Sequence, residues 1–139
     1  MMDSRQNKVR VIYDRRIFAT YHLFVLPRVR LENQGRVVLL DMVVDMGATD
    51  IVVDPEVFDG LGIQPSRQIY AVSATSRHRG ARGKIERVAV SREPVAENVS
   101  VVAMDLPEGL VGEGLLGASF LQRFPFFVDY ARGLLEFWT

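Results

Sequence analysis

Cysteine is absent from the 139 residues of this chain, and histidine occurs only twice, as His22 and His78. Without cysteine there is no disulfide, no thiolate nucleophile and no cysteine-ligated zinc. Two histidines alone rarely complete a zinc site. We therefore expect no metal and no other cofactor, and a fold that depends on a hydrophobic core, which a chain of this size can build unaided.

A charge excess of either sign is also lacking, because 17 lysines and arginines balance 17 aspartates and glutamates. A balanced chain has no general attraction for nucleic acid or for an anionic membrane. No stretch approaches the roughly 20 apolar residues that span a bilayer, and no signal-peptide pattern follows the polar N-terminus. We expect no nucleic-acid partner and no membrane segment. The compartment stays open, with the cytoplasm as the expectation for the chain as given.

The chain does contain many short apolar runs separated by turn residues, a pattern that predicts short strands and no long helix. One short helix is predicted from Asp54-Pro55-Glu56 to Gly60, because Asp is a favourable N-cap and Pro fits the first turn. We expect an all-β, closed barrel-like fold that forms one domain over residues 1–139, with residues 1–9 loosely ordered. The predicted strands are Val9–Tyr13, Tyr21–Val29, Arg36–Val44, Ile51–Val53, Ile69–Ser73, Ile85–Val90, Val99–Met104, Phe126–Tyr130 and Leu134–Trp138, with one helical turn at 118–122.

Three motifs occur in order along this pattern. The first is Val43-Val44-Asp45-Met46-Gly47-Ala48-Thr49-Asp50, followed by the apolar run Ile51-Val52-Val53. The second is Phe58-Asp59-Gly60-Leu61-Gly62-Ile63, and the third is Gly114-Leu115-Leu116-Gly117-Ala118-Ser119-Phe120-Leu121. Together they resemble the retropepsin-like aspartic proteases over roughly residues 36–137. A single Asp-x-Gly-Ala copy implies one lobe, and the resemblance implies an aspartic endopeptidase with Asp45 as its catalytic residue.

The chemistry of this class needs two carboxylates a few ångströms apart. Held so close, they share one proton and titrate as a pair, and aspartic proteases are the familiar example. One carboxylate takes a proton from the attacking water while the other donates to the substrate carbonyl. Because the chain has one such Asp, the resemblance implies a homodimer with a shared site and a peptide or protein substrate.

The resemblance also gives roles to the residues around Asp45. Met46, Gly47, Ala48, Thr49 and Asp50 form the active-site loop, and Leu115, Leu116 and Gly117 pack behind it. A polar segment occupies the place of the flap that closes over substrate, with Gly80 and Gly83 as pivots, and its basic character favours acidic substrates. The flap candidates are Ser73, Ala74, Thr75, Arg77, His78, Arg79 and Gly80.

Other residues have alternative explanations. Asp50 either caps its own loop or contacts substrate, and Thr49 is expected to be a hydrogen-bonding residue and not a nucleophile. The basic cluster at Arg77–Arg82 is ordinarily a solvated loop. The resemblance implies that the chain ends pair with those of a second copy, and Leu135, Phe137 and Trp138 are apolar enough for that contact.

One residue departs from the family pattern, since Met46 stands where the resemblance implies Thr or Ser. The resemblance implies that this hydroxyl hydrogen-bonds to the partner's loop across the dimer axis, and each lost bond costs about 0.5–1.5 kcal/mol. A loss on the order of 1–3 kcal/mol weakens a dimer about 5–150-fold. Three interpretations stay open: a dimer held by other contacts and active, an inactive binding or dimerisation module on the same fold, or an introduced substitution.

Overall fold

The computed structural model describes residues 7–72 and 77–139, and the side chains of residues 7–66 and 80–139. This part of the chain contains ten strands and three short helices. In order they are β1 Lys8–Arg10, α1 Arg15–Tyr21, β2 Val25–Asn33, β3 Arg36–Val44, β4 Ile51–Val53, α2 Pro55–Gly60, β5 Arg67–Val72, β6 Arg77–Ala89, β7 Val95–Ala103, β8 Gly114–Leu116, α3 Ala118–Leu121, β9 Phe126–Asp129 and β10 Leu134–Trp138.

Six strands close into a barrel in the order β2-β3-β8-β4-β7-β6, because β6 also pairs with β2. The closing pairs are Arg30↔Ala89, Leu31↔Val88 and Glu32↔Arg87. Arg87 Nη1 lies 2.8 Å from Glu32 Oε2 across this seam. The pKa of the Glu32 carboxyl is lowered, most by a hydrogen bond from Arg30 and next by one from Arg87. The predicted all-β, closed barrel is confirmed.

A smaller antiparallel sheet, in the order β1-β10-β9, packs on the barrel. Val9 lies opposite Phe137, so the described ends of the chain pair with each other. Leu135 and Phe137 are fully buried and belong to the same hydrophobic cluster as Leu116 of the barrel and Phe120 of α3. The alternation along β10 leaves Glu136 beside Lys8 and Arg10, at 3.6 and 3.5 Å.

The structure corrects the number and bounds of several elements. α2 and α3 fall where a short helix and a helical turn were expected, but α1 was not predicted. It ends at Tyr21, inside the predicted strand Tyr21–Val29, which begins only at Val25. Asp14 caps α1 by accepting a hydrogen bond from the Ile17 N–H at 2.9 Å. β6 begins at Arg77 and not at the predicted Ile85, so it includes most of the polar segment expected to be the flap. None of the described helices is long and apolar enough for a bilayer crossing.

Candidate active site

The candidate site lies where strands β3, β8 and β4 meet. β8 runs parallel to β3, with Val44 opposite Leu116, and antiparallel to β4, with Leu115 opposite Val52. β8 therefore lies between two strands that are consecutive in sequence. The connection between them, residues 45–50, must pass over the end of β8, and this places the active-site loop at the barrel rim.

Asp45 is the first residue after β3, and it is held by backbone contacts on both sides. Its N–H donates to the Leu116 carbonyl at 3.1 Å, and its own carbonyl accepts from the Ala48 N–H at 3.2 Å. Its Oδ1 accepts from the Gly47 N–H at 2.9 Å. A Cβ on Gly47 would lie 3.3 Å from that same oxygen. The loop therefore orients one oxygen of the carboxylate, while Oδ2 accepts no hydrogen bond from the described residues.

The segment after β8 clamps the loop from behind. The Ala118 and Ser119 N–H groups donate to the Ala48 and Thr49 carbonyls at 2.8 and 2.9 Å. Gly117 approaches so closely that a Cβ there would collide with the Asp50 carbonyl oxygen and lie 2.7 Å from that of Ala48. The supporting loop thus requires glycine at position 117 for lack of space, while Leu116 is fully buried and Leu115 partly buried.

Ser119 is a positioning residue that the sequence interpretation missed. Its hydroxyl accepts from the Ile51 N–H at 3.0 Å and donates to the Ser100 carbonyl at 2.8 Å. It therefore ties the start of β4 to β7 through α3. The signal was present, because Ser119 belongs to the third motif, but the motif alone does not show which backbone groups its hydroxyl would meet.

Asp50 forms an ion pair with the strand that carries the flap candidates. Its Oδ2 lies 2.9 Å from Arg82 Nη2, and the two side chains are only 10% and 28% exposed. The Thr49 hydroxyl donates to the same oxygen at 3.4 Å. This pairing with β6 is a third role, beside the loop-capping and substrate-contact alternatives. It also uses one positive charge of the basic cluster, so that charge is not free for substrate.

The flap candidates fall on and around the β5–β6 hairpin. Its backbone pairs run from Arg67↔Arg82 to Val72↔Arg77. Gly80 and Gly83 lie inside continuous strand β6, where a Cβ would come within 2.5 Å of the Ala103 carbonyl oxygen and of Ile63 Cγ2, respectively. Close packing therefore explains why glycine occupies both positions. This reason differs from the expected one, in which the two glycines are pivots of the flap. Ser73, Ala74 and Thr75 lie outside the described residues, as do the side chains of Arg77, His78 and Arg79.

Met46 is the large apolar side chain that the loop exposes, beside the exposed Gly47 and Thr49. Its side chain is 52% exposed, next to the partly buried Asp45. A large apolar side chain left in water at a rim position is available to a second molecule. Within the described part of the chain, no group of three or more His, Asp or Glu side chains could hold a metal ion.

Comparison with known proteins gives this site its class. The family model described as aspartyl protease matches residues 28–120, well over half of the chain, including the active-site loop and the supporting loop. The chain therefore belongs to the aspartyl protease family and is by class an aspartic peptidase, a hydrolase.

Solved structures agree on the fold. The chain is similar to a retropepsin-like aspartic protease from Rickettsia conorii, with a TM-score of 0.63 and 20% identity over 94% of this chain and 98% of that one. In all, 14 solved chains match. The predicted retropepsin-like single lobe is confirmed. No curated protein matches the sequence.

Proposed function

We propose that the protein is an endopeptidase that acts as a homodimer, with Asp45 of each subunit in a shared pair of carboxylates. The observation that carries this proposal is the Asp45 carboxylate, held through one oxygen by the Gly47 N–H at the rim of the barrel. The chain supplies one such carboxylate motif, and an aspartic peptidase needs two carboxylates. A two-fold dimer is the simplest way to bring a second copy opposite the first.

In the proposed mechanism, one Asp45 carboxylate of the dimer takes a proton from a water molecule as its oxygen attacks the scissile carbonyl carbon. The partner's Asp45, protonated at that moment, donates its proton to the carbonyl oxygen. Collapse of the tetrahedral intermediate breaks the C–N bond: the amine takes the proton from the first Asp45, while the partner's Asp45 takes a proton from a hydroxyl of the intermediate. A carboxylic acid is left, and the pair again holds one proton. Clamping by Gly117, Ala118 and Ser119 favours the reaction because catalysis tolerates little error in the position of these groups.

The expected interface through Leu135 and Phe137 needs revision, since both side chains are buried within their own chain. The edge of β9 is a better candidate, because β9 is the last strand of the small sheet and no described strand pairs with its outer side. Phe127 and Tyr130 at this edge are 44% and 48% exposed. Unpaired strand edges with apolar side chains favour pairing with another chain. We infer that β9 pairs with β9 of the partner.

Cleavage should therefore depend on protein concentration. We expect a mixed peptide library to be cut between acidic and neutral pH, with activity per chain rising as sedimentation velocity shows dimer forming. Phe127→Lys should shift the protein toward monomer and reduce cleavage at a given concentration. Val37→Lys is the matched control, because Val37 is similarly exposed, at 43%, but lies on β3. Activity per chain that stays constant while the protein remains monomeric would contradict the shared site.

A second candidate function is a binding or dimerisation module without catalysis, and Met46 is the observation that favours it. A methionine cannot supply the hydroxyl that the family pattern has at this position. Such a module would bind extended peptides, with equal affinity in the parent and in Asp45→Asn, and would cut none of them.

Placing a hydroxyl at position 46 distinguishes the endopeptidase from the binding module. Met46→Thr is expected to tighten the dimer by about 5–150-fold, because two cross-axis hydrogen bonds are worth about 0.5–1.5 kcal/mol each. Sedimentation equilibrium measures the change, and the peptide library shows whether cleavage rises with it. Met46→Ala is the control, because it removes the methionine without adding a donor. Equal dimer affinity for Thr and Ala would show that no such hydrogen bond forms.

A further inference from the structure

A groove of about 740 Å³ lies along the segment Val9–Ile12, on a part of the surface that shares no residue with the active-site loop. The opposite wall is formed by Pro27 and Arg28 of β2 and by residues 90–93 after β6. A second hollow of about 340 Å³ shares the lining residues Arg10, Val11 and Ile12 with it. We call the first hollow the β1 groove.

The strand that borders the β1 groove has one unpaired edge. Asn7 and Thr139 exchange two backbone hydrogen bonds, at 2.8 and 2.9 Å, and the Val11 N–H donates to the Leu135 carbonyl at 3.2 Å. Alternate residues of an antiparallel pair face the partner strand. The N–H and C=O groups of Lys8 and Arg10 therefore point away from β10, and no described strand receives them.

The walls of the groove are basic, although the chain as a whole is neutral. Arg10, Arg28 and Arg92 line the β1 groove, and Glu93 is its one acidic lining residue. Arg10 keeps 69% of its side chain exposed despite the 3.5 Å contact with Glu136. Ile12, which lines both hollows, is 79% exposed. The groove thus offers cations and an apolar contact beside an open strand edge.

The backbone on the far wall is bent to present these groups. The register of β2 against β3 shifts between Leu26 and Val29, as in a β-bulge, and bulges re-aim side chains. Arg28 has a φ of 55° and Ser91 a φ of 59°, a region that costs a non-glycine residue about 1–2 kcal/mol. The Arg28 N–H is held there by Asp41 Oδ1 at 3.0 Å.

We infer that the β1 groove binds an extended acidic segment of another protein, which adds a strand to the free edge of β1. Main-chain hydrogen bonds to Lys8 and Arg10 would supply register, the three arginines would select acidic side chains, and Ile12 would contact an apolar one. The inference does not depend on cleavage at Asp45. It is also compatible with a dimer through β9, because β1 and β9 lie at opposite edges of the small sheet.

The test is fluorescence anisotropy with a short labelled peptide of alternating acidic and apolar residues, in an Asp45→Asn background so that the peptide is not cut. We expect saturable binding that Arg10→Glu/Arg28→Glu weakens by roughly tenfold or more. Lys84→Glu is the matched control, since Lys84 is exposed on β6 and lines neither hollow. A peptide with proline at alternate positions should bind the parent at least as weakly as the acidic peptide binds the double arginine variant. Proline has no N–H group to donate a hydrogen bond to the edge of β1.

Several outcomes would overturn the inference: no binding of the acidic peptide, equal affinity for the Arg10/Arg28 variant and the parent, or equal affinity for the proline-containing peptide. A change in oligomeric state caused by the arginine variant would instead assign the groove to contact between copies. Circular dichroism melts of every variant separate lost binding from lost fold. Failure here would leave cleavage of the peptide library by the parent chain unaffected.

Discussion

Asp45→Asn is expected to lower kcat for peptide hydrolysis by roughly 10²–10⁴-fold, the range that a positioned acid–base group contributes. An amide cannot take a proton from water at this position. The loop should keep its conformation, because the asparagine side-chain oxygen can accept the hydrogen bond from the Gly47 N–H. In the parent this N–H lies 2.9 Å from Asp45 Oδ1. Kinetics on a cut-site peptide measure the loss, and denaturation curves check that stability is unchanged. Undiminished cleavage would remove Asp45 from the mechanism.

Mixing the parent with Asp45→Asn tests whether the site is shared. If subunits exchange freely and a mixed dimer is inactive, equal amounts should leave roughly half of the activity of the same quantity of parent alone. If each chain acts by itself, the activity of the parent should be unchanged. Asp59→Asn is the control partner, because Asp59 lies on α2, outside the loop, and its mixture should keep full activity.

The barrel strands were predictable where apolar residues are bounded by clear turn signals. β3 and β4 have the bounds that the sequence predicts, and the turn before β3 has positive φ at Gln34 and Gly35, as in a tight hairpin. The helix α1 was not predictable from periodicity, because none of its residues is fully buried. Its one sequence signal is the N-cap Asp14, which is weak without an apolar face behind it.

Polar composition concealed the length of β6. The stretch from Arg77 to Lys84 contains no large apolar residue, so the alternation that identifies a strand is missing there. The converse error occurs in β3. The continuous apolar run at 37–40 predicts burial on both faces, yet Val37 and Leu39 are 43% and 40% exposed. The error in β3 arises because a sequence window does not show which side of a strand another layer covers.

The candidate site also has a part that the sequence predicts and a part that it does not. The turn at Asp45 could be placed from its motif, because the bonds from the Gly47 and Ala48 N–H groups to Asp45 connect residues two or three apart. The Asp50–Arg82 pair joins residues 32 positions apart and depends on the register of β6 in the barrel. The Ser119 hydroxyl likewise bonds to Ile51, 68 positions away. These contacts belong to the assembled barrel, and no local pattern encodes them.

Gly117→Ala is expected to be the most destabilising single-methyl change in the supporting loop. A Cβ at Gly117 would collide with the Asp50 carbonyl oxygen and lie 2.7 Å from that of Ala48. These are backbone atoms, so relief requires the whole active-site loop to move. Overpacking of this kind costs about 1–3 kcal/mol. Movement would also break the bonds from Ala118 and Ser119 at 2.8 and 2.9 Å, at about 0.5–1.5 kcal/mol each.

Together these terms predict a loss of about 2–6 kcal/mol in the free energy of unfolding, a large part of the roughly 5–15 kcal/mol that a domain possesses. Urea denaturation followed by circular dichroism measures it. Gly60→Ala is the matched control, because a Cβ there would meet no atom within 4 Å, and alanine in a helix is favoured by roughly 0.5–1 kcal/mol over glycine. A Gly117→Ala protein as stable as the parent would mean that the loop and the supporting segment are not packed so closely. The clamp on Asp45 would then have to come from the Gly47 N–H and the strands alone.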